Sequence, residues 1–213
     1  YVTAGALIVG VPAGIFTAMY LARFCNKRLY RFLKPAINLL AGIPSVVYGF
    51  FGLVVLVPLV REWLGGTGMS TLTASVLLGI MILPTIIGVA ESAIRAVPEA
   101  YYEGALALGA TPEEAMFKVM LPAAKSGVTA GIILAIDRSI GEAMAVSMVA
   151  GNQPVIPESL LSGVRTLTSN IVLEMGYATD MHRAALLATG VVLFVFILLI
   201  NLTFSLLRKK EDK

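Results

Sequence analysis

The sequence predicts an all-α membrane protein with about five transmembrane helices. Hydrophobic residues make up 58% of the 213 residues and charged residues 14%, and the mean hydropathy is +0.88, whereas a soluble domain of this length is less apolar. The chain begins at Tyr1 with no charged segment ahead of the first apolar stretch, so we expect an N-terminal piece, and with it a sixth helix, to be missing. Stretches long enough to cross a bilayer lie near residues 2–24, 39–60, 71–94, 125–150 and 183–207.

Other classes of protein fit this composition poorly. The net charge of +3 does not indicate nucleic-acid binding, because the basic residues adjoin apolar runs and form no aromatic-interleaved patch. Cys25 is the only cysteine and His182 the only histidine, so neither a disulfide nor a zinc site is expected. Residues 1–213 show no repeat, low-complexity tract or linker and are predicted to form one transmembrane domain.

The distribution of lysine and arginine predicts the orientation. Three groups of basic residues fall on one side of a five-span chain: Arg23, Lys27, Arg28, Arg31 and Lys34 in the first loop, Arg95, Lys118 and Lys125 around the third, and Arg208, Lys209, Lys210 and Lys213 in the tail. The opposite side holds Arg61, Arg165 and Arg183. The richer side is predicted to be cytoplasmic, which makes residues 95–124 cytoplasmic and residues 151–182 external.

Gly42 and Pro44 interrupt the second predicted span. Proline lacks a backbone N–H and bends or breaks a helix, and a broken helix can direct its N-terminus at an anion. Ser45 and the N–H groups after it are therefore a candidate substrate site. The alternative is that the proline only bends the helix. Glu91, near the cytoplasmic end of the third span, is expected to be solvated or paired with a partner.

Residues 97–122 are too polar to cross a membrane and carry signals for two short helices. Gly109 is a predicted C-cap of the first helix. Thr111 is a predicted N-cap of the second, with Glu114 completing a capping box, and that helix is expected to stop before Pro122. Ordering such a segment costs backbone entropy that a docking surface must offset. A partner on the cytoplasmic side is implied.

Within this segment, residues recur at a spacing known from one family: Glu103, Gly104 and Ala105, then Gly109, then Val119, Leu121 and Pro122. The pattern resembles the EAA signature of ABC importer permeases, from which Gly104 and Val119 depart. The resemblance implies a type I ABC importer permease fold, in which this segment is the coupling helix that contacts the ATPase subunit. The alternative is an interfacial amphipathic helix.

The chain has no G-x-x-x-x-G-K-[ST] sequence to hold ATP phosphates. We therefore expect ATP and Mg²⁺ to be bound by a separate ATPase subunit, with no cofactor in this chain. On this basis the chain is predicted to be a transport subunit and not an enzyme.

The fourth predicted span places Asp137, Arg138 and Glu142 near mid-membrane. Insertion of each such charge costs about 2.5–3.5 kcal/mol at a helix centre, so an accidental group of three is improbable and the charges should face protein or water. Arg138 can offer a bidentate cation to an oxyanion, with Glu142 four residues later on the same face moderating the attraction. The alternative is an intrahelical salt bridge that only neutralises the two charges.

Three runs resemble the PstC-type permease family of phosphate importers: Asp137 to Asn152, Leu40 to Leu53 and Arg165 to Ile171. The resemblance implies phosphate as cargo, a multi-pass position in a bacterial or archaeal cytoplasmic membrane, and several partners. These are a second, PstA-like permease subunit, an ATPase dimer and an extracytoplasmic phosphate-binding protein, with membrane lipid around the spans. Whether two identical or two different permeases pair is left open.

Two other functions stay open at this point. An ABC permease could carry another oxyanion or a small polar solute, since the EAA pattern identifies the contact with the motor and not the cargo. In an ion-coupled carrier or channel, Arg138 and Glu142 would form a relay, but the coupling segment would have no role. The external residues 151–182 have near-helical spacing and could dock a binding protein or cover a pore mouth.

Overall fold

The computed structural model describes the backbone of residues 1–211 and the side chains of residues 1–204. Within that part the chain is helical, with one isolated parallel bridge between Gly151 and Val164 and no strand. The basic tail predicted at Arg208, Lys209, Lys210 and Lys213 lies outside the described side chains. The helices are α1 Val2–Met19, α2 Lys27–Gly42, α3 Ser45–Phe51, α4 Val57–Leu64, α5 Thr71–Ala96, α6 Glu99–Ala107, α7 Pro112–Ala115, α8 Leu121–Ala123, α9 Lys125–Gly141, α10 Met144–Val149, α11 Leu167–Glu174 and α12 Asp180–Glu211.

Within residues 1–211, three π-helical segments extend or join these helices: Tyr20–Phe24 extends α1, Gly52–Leu56 joins α3 to α4, and Met116–Met120 joins α7 to α8. Among the described residues, four helical stretches are long and apolar enough to cross a membrane: Val2–Phe24, Ser45–Leu64, Thr71–Ala96 and Asp180–Phe204. A fifth crossing is possible if Pro112–Ala123 and Lys125–Gly141, which meet at a bend of 74°, count as one span. The predicted all-α membrane fold with about five spans is confirmed.

The second span begins later than predicted. The sequence placed it at residues 39–60, but the structure starts this helix at Ser45 and ends it at Leu64. Pro44 is extended, with φ −60° and ψ 144°, and precedes the helix as its N-cap. The residues ahead of it form α2, a separate helix with no buried residue. The predicted interruption at Gly42 and Pro44 is therefore confirmed as a full break.

The fourth span is also interrupted. It was predicted to run through residues 125–150, but α9 ends at Gly141 and α10 begins at Met144, which leaves Glu142 and Ala143 outside either helix. At about 1.5 Å per residue, the 17 residues of α9 extend about 26 Å, less than the roughly 30 Å of a hydrocarbon core. The candidate functional site lies around this break between α9 and α10.

The described chain forms two compact units. The first consists of Tyr1–Gly10, Ile43–Ile82 and Ile136–Thr203. Its core is formed mainly by apolar residues of α5 and α10 and by the buried Tyr48 of α3. The prediction that the chain is one transmembrane domain stays a prediction.

The second unit includes Val11–Gly42 and Leu83–Ala135. Its core joins α5 to the later part of the segment 97–122: Ala90, Ile94, Met116 and Met120 are all almost fully buried. Gly127 and Gly131 face α5. A Cβ atom at Gly131 would lie 3.1 Å from the Cβ of Val89, so these two glycines allow close helix packing, as their G-x-x-x-G spacing predicts.

Candidate functional site

The break between α9 and α10 is stabilised by hydroxyl groups from α11. Thr168 Oγ1 donates a hydrogen bond of 2.9 Å to the carbonyl oxygen of Glu142, and Ser169 Oγ donates one of 3.3 Å to that of Ala143. Both hydroxyl-bearing residues are buried. A helix end leaves carbonyl groups without partners, and buried carbonyl groups need hydrogen-bond donors. The chain therefore supplies its own donors at the break.

Sequence reasoning assigned no role to Thr168 and Ser169. The available signal was the cap pattern at the start of α11, where Thr166 Oγ1 accepts a hydrogen bond of 3.2 Å from the Ser169 N–H. Such a Thr-x-x-Ser start marks a helix N-terminus. It does not indicate that side chains of this helix donate hydrogen bonds to the backbone between α9 and α10.

The Glu142 carboxylate caps the helix that follows the break. Its Oε1 accepts a hydrogen bond of 3.0 Å from the Ala145 N–H. Glu142 lies one residue past the end of α9 at Gly141, and the predicted shared face of Arg138 and Glu142 stays a prediction. Glu142 thus occupies the position that an acceptor takes at a helix start.

Helices α3 and α10 run side by side in the same direction. A Cβ atom on Gly49 would lie 2.9 Å from the Cα of Ala145, and a Cβ atom on Gly52 would lie 2.9 Å from Cγ1 of Val149. Residue numbers thus increase in the same direction along both helices, from Gly49 to Gly52 and from Ala145 to Val149. The N-termini of α3 and α10 therefore lie at the same end of this helix pair. Ser45 begins the helical stretch Ser45–Leu64, and the unpaired N–H groups of its first turn point towards that end.

Arg138 lies in the last turn of α9 and is partly buried. It is within electrostatic range of Tyr48, a buried residue one turn after Ser45. Asp137, its neighbour, has one buried carboxylate oxygen, Oδ1, with no hydrogen-bond partner among the described residues. Arg138 thus lies near the Tyr48 side chain of α3.

Beyond α10 the segment 151–182, predicted to be external, is organised around Arg165. Its Nε donates a hydrogen bond of 3.0 Å to the carbonyl of Asn152, and its Nη1 donates one of 2.8 Å to Glu174 Oε1 and a longer one of 3.3 Å to Asn170 Oδ1. A hydrogen bond from Tyr177 and the Arg165 guanidinium lower the pKa of the Glu174 carboxyl. Arg165 therefore ties the loop after α10 to the middle and the last residue of α11.

The external segment is less helical than its spacing predicts. Within residues 151–182, only Leu167–Glu174 and the start of α12 are helical. Gly151 and Asn152 have positive φ values of 82° and 52°, a left-handed turn that ends α10. Because the polar residues lie on loops as well as on α11, they do not form one helical face.

The coupling segment has the local structure that its capping signals predict. Gly109 follows α6 with φ +89°, and the Ala110 N–H bonds to the Ala105 carbonyl at 3.1 Å, as in a left-handed helix C-cap. Thr111 then caps α7: the Glu114 N–H bonds to Thr111 Oγ1 and the Thr111 N–H bonds to Glu114 Oε2, both at 3.2 Å. The predicted capping box is present.

The signature residues of this segment lie largely on its outer surface. Glu103, Gly104 and Gly109 are exposed and Ala105 is half-buried. Leu108, between them, is 92% exposed. Glu, Gly and Leu presented together by an ordered turn form a surface suited to a partner.

The second helix of the segment 97–122 continues through Pro122 instead of stopping before it. The turn ahead of the proline is π-helical, and the Leu121 N–H bonds to the Met116 carbonyl. Pro122 falls in the first turn of α8. Proline is tolerated at that position because it has no N–H group and none is needed there for an i→i−4 hydrogen bond. The helix ends at Ala123, and Leu121 packs on the core of the second unit.

Helix α6 is attached to the end of the first span by Arg23. The guanidinium forms a salt bridge with Glu99, and it lies over the Tyr102 ring at 4.0 Å from the centroid. The hydrogen bond from Arg23 lowers the pKa of the Glu99 carboxyl. The coupling segment is therefore tied to the second unit at its start as well as by the buried Met116 and Met120.

Comparison with known proteins gives one consistent result. Residues 10–213 match the sequence profile of the family described as "Binding-protein-dependent transport system inner membrane component". The chain is 41% identical over 207 residues to "Probable ABC transporter permease protein YqgH" of Bacillus subtilis (strain 168), covering 94% of this chain and 67% of that protein. It is 35% identical over 232 residues to "Phosphate transport system permease protein PstC" of Pasteurella multocida (strain Pm70), covering 98% and 72%. A chain of the methionine ABC transporter MetNI has the same fold, with a TM-score of 0.74 at 22% identity, covering 100% of this chain and 90% of that one.

Proposed function

The chain belongs to the binding-protein-dependent transport system inner membrane components, and from this premise we propose that it is the permease subunit of an ATP-driven phosphate importer. It is a multi-pass protein of the inner membrane. Phosphate is the cargo named for the relative from Pasteurella multocida. The observation on this chain that supports an anionic cargo is the position of the partly buried Arg138 near Tyr48 of α3, the helix that begins at Ser45.

The proposed substrate pathway uses the first unit. Arg138 supplies a charge with a planar fork that matches two phosphate oxygens, and the free N–H groups at the start of α3 add a second, weaker attraction. Asp137, with its unpaired oxygen, accepts a hydrogen bond from a protonated phosphate and limits the affinity. Glu142 holds the start of α10 and so keeps the break in place beside Arg138.

The proposed coupling path uses the second unit. Phosphate crosses by alternating access, in which ATP binding on a partner changes which side of the pathway is open. The ATPase contacts α6 through the exposed Tyr101, Leu106 and Leu108. Displacement of α6 then moves Pro112–Ala123, which is joined to α9 through Ala124 alone. Because α9 ends at the break, a displacement of α6 and Pro112–Ala123 is transmitted along α9 to the proposed substrate pathway.

Partners supply what this chain lacks. A dimer of ATPase subunits binds ATP and Mg²⁺, a second permease subunit packs against this chain, and an external binding protein delivers phosphate at residues 151–182. The apolar surface of α12 supports the second permease: Leu187, Val191, Phe194 and Leu198 are exposed, at the spacing of one helical face. That surface fits another helix or lipid.

The test is uptake of radiolabelled phosphate by the purified complex in proteoliposomes that contain ATP on the ATPase side and binding protein on the other. We expect uptake that requires ATP and resists excess sulfate. Uptake abolished by sulfate, with sulfate itself transported, would assign another oxyanion. Uptake that continues without ATP but follows an ion gradient would contradict the ABC mechanism.

A further inference from the structure

Glu91 is the centre of a charged cluster in the second unit. Its carboxylate is buried and accepts hydrogen bonds from Tyr30 Oη at 2.7 Å, Lys34 Nζ at 2.6 Å and Arg95 Nε at 2.9 Å. The Arg95 guanidinium also donates to the Leu21 carbonyl at 2.7 Å. The expectation that Glu91 is solvated or paired with a partner is wrong, because its partners belong to this chain. The cluster fixes α2 against α5 and the end of the first span.

A cavity of about 560 Å³ opens beside this cluster. Four of its lining side chains are cationic, and the chain's only cysteine is among the others. The polar and charged residues that line it are Cys25, Lys27, Tyr30, Arg31, Lys34 and Arg95.

The cations of the cavity are only partly neutralised. Glu91 binds Lys34 and Arg95. Lys27 and Arg31 are exposed and have no acidic partner among the described residues. A cavity with this excess of positive charge attracts an anion, and ammonium and guanidinium donors side by side suit the oxygens of a phosphate group.

Helix α2 places an apolar surface next to the cavity. Lys27, Arg31 and Lys34 follow the spacing of one helical face and line the cavity, whereas Phe32 and Leu39 are each 73% exposed on another. A helix with a basic face, an apolar face and no buried residue is typical of one that lies in the membrane interface. Basic groups there meet the phosphates of anionic lipids.

We propose that this cavity binds a phosphate group carried by an anionic phospholipid, with Lys27 and Arg31 as its ligands. Lys34 and Arg95, held by Glu91, form the fixed wall behind it. The acyl chains extend along the apolar face of α2, past Phe32 and Leu39. Inorganic phosphate presents the same oxygens without acyl chains, and a test must separate the two sources. The inference does not depend on the cargo of the permease.

Cys25 provides the readout, because it lines the cavity and is the single cysteine of the chain. The assembled complex, stripped of lipid in detergent, is alkylated with iodoacetamide, and modification of the Cys25 peptide is followed by mass spectrometry. The probes are dioctanoyl phosphatidylglycerol, dioctanoyl phosphatidylcholine as the zwitterionic control, and inorganic phosphate. At ten times its Kd, a bound ligand that covers the thiol lowers the alkylation rate by about tenfold.

We expect phosphatidylglycerol to protect Cys25, with little protection by phosphatidylcholine. Lys27→Gln with Arg31→Gln should abolish protection, and since both side chains are exposed the chain should still fold. Arg28→Gln is the matched control: Arg28 is an exposed cation of α2 that does not line the cavity, so protection should persist.

Equal protection by inorganic phosphate and phosphatidylglycerol would show that the cavity binds a phosphate group but would contradict the proposal that a phospholipid supplies it. Absence of protection by both anions would overturn the site itself. So would equal protection in the Lys27→Gln, Arg31→Gln variant and the unmodified chain. Phosphate uptake measured on the same preparations shows independently whether the permease works.

Discussion

The Thr168 hydroxyl donates a 2.9 Å hydrogen bond to the backbone carbonyl of Glu142, 26 residues earlier in the chain. It does so where α9 has ended and α10 has not begun. A membrane-spanning segment can leave helical geometry only where its backbone groups find other partners. Thr168 and Ser169 are those partners, and the break places Glu142 at the start of α10 while Arg138 stays on α9.

Thr168→Val should destabilise the protein and impair transport. Valine has nearly the shape of threonine but leaves the Glu142 carbonyl unsatisfied, which costs about 1–3 kcal/mol in a buried site. Thr168→Ser keeps the hydroxyl and serves as the control. The melting temperature of the purified complex and its phosphate uptake should both fall for the valine variant and stay near the original for serine. Equal stability of all three proteins would show that the hydroxyl does not support the break.

Gly109→Val should uncouple ATP hydrolysis from transport while the subunit still inserts and assembles. Gly109 has φ +89°, a conformation that costs a non-glycine residue about 1–2 kcal/mol and disfavours β-branched residues most. The turn that presents α6 to the ATPase would be distorted. Uptake per ATP hydrolysed measures this directly.

Gly104→Ala is the matched control for Gly109. Gly104 lies within α6, and a Cβ atom there meets nothing within 4 Å, so alanine should be tolerated and should favour the helix. Normal coupling in Gly109→Val, or equal defects in both variants, would count against the coupling role of this segment.

The external segment should loosen at acidic pH. The Tyr177 hydroxyl and Arg165 lower the pKa of Glu174 from its ordinary 4.5, so this carboxylate adds stability above that pH, and its contribution is lost as the pH falls through the lowered pKa. Limited proteolysis within residues 151–166 should accelerate in that acidic window. Glu174→Gln should remove the added pH dependence and be cleaved faster at neutral pH. A pH profile identical to that of the unmodified protein would contradict this assignment.

The orientation can be tested by labelling from outside the cell. In a Cys25→Ser background, a membrane-impermeant maleimide should modify a cysteine at Ser159 but not one at Lys118, unless the membrane is permeabilised. Both positions are exposed, so a difference in labelling reports the side of the membrane and not burial. The reverse pattern would invert the proposed topology.

Local signals predicted the features whose causes are local. Thr111 and Glu114 are three residues apart and form the predicted capping box, and Pro44 breaks the second span because its own ring and missing N–H do so. The exposed turn at Gly109 follows from the same kind of signal. Each of these features is determined by the chemistry of a few consecutive residues.

The features that the sequence did not reveal depend on distant residues. Gly141 is a helix-weakening residue, but the hydrogen bonds that satisfy the carbonyls of the break come from Thr168 and Ser169 on another helix. Glu91 finds Tyr30 and Lys34 at separations of 61 and 57 residues. Pairing of this kind is determined by tertiary packing, which the spacing of residues within one helix does not encode.

The most direct test of the account is phosphate uptake by the Arg138→Met, Glu142→Gln double variant. Glutamine keeps an oxygen that can accept the Ala145 N–H, so Glu142→Gln alone should retain much of the transport and serves as the control. A charge-assisted hydrogen bond contributes about 1.5–3 kcal/mol, so loss of Arg138 should lower uptake by roughly tenfold or more. Arg138→Lys should retain part of it, because lysine keeps the charge without the planar fork. We predict that the double variant assembles and takes up phosphate at least about tenfold more slowly than Glu142→Gln alone; uptake at the level of Glu142→Gln alone would show that Arg138 does not meet the anion.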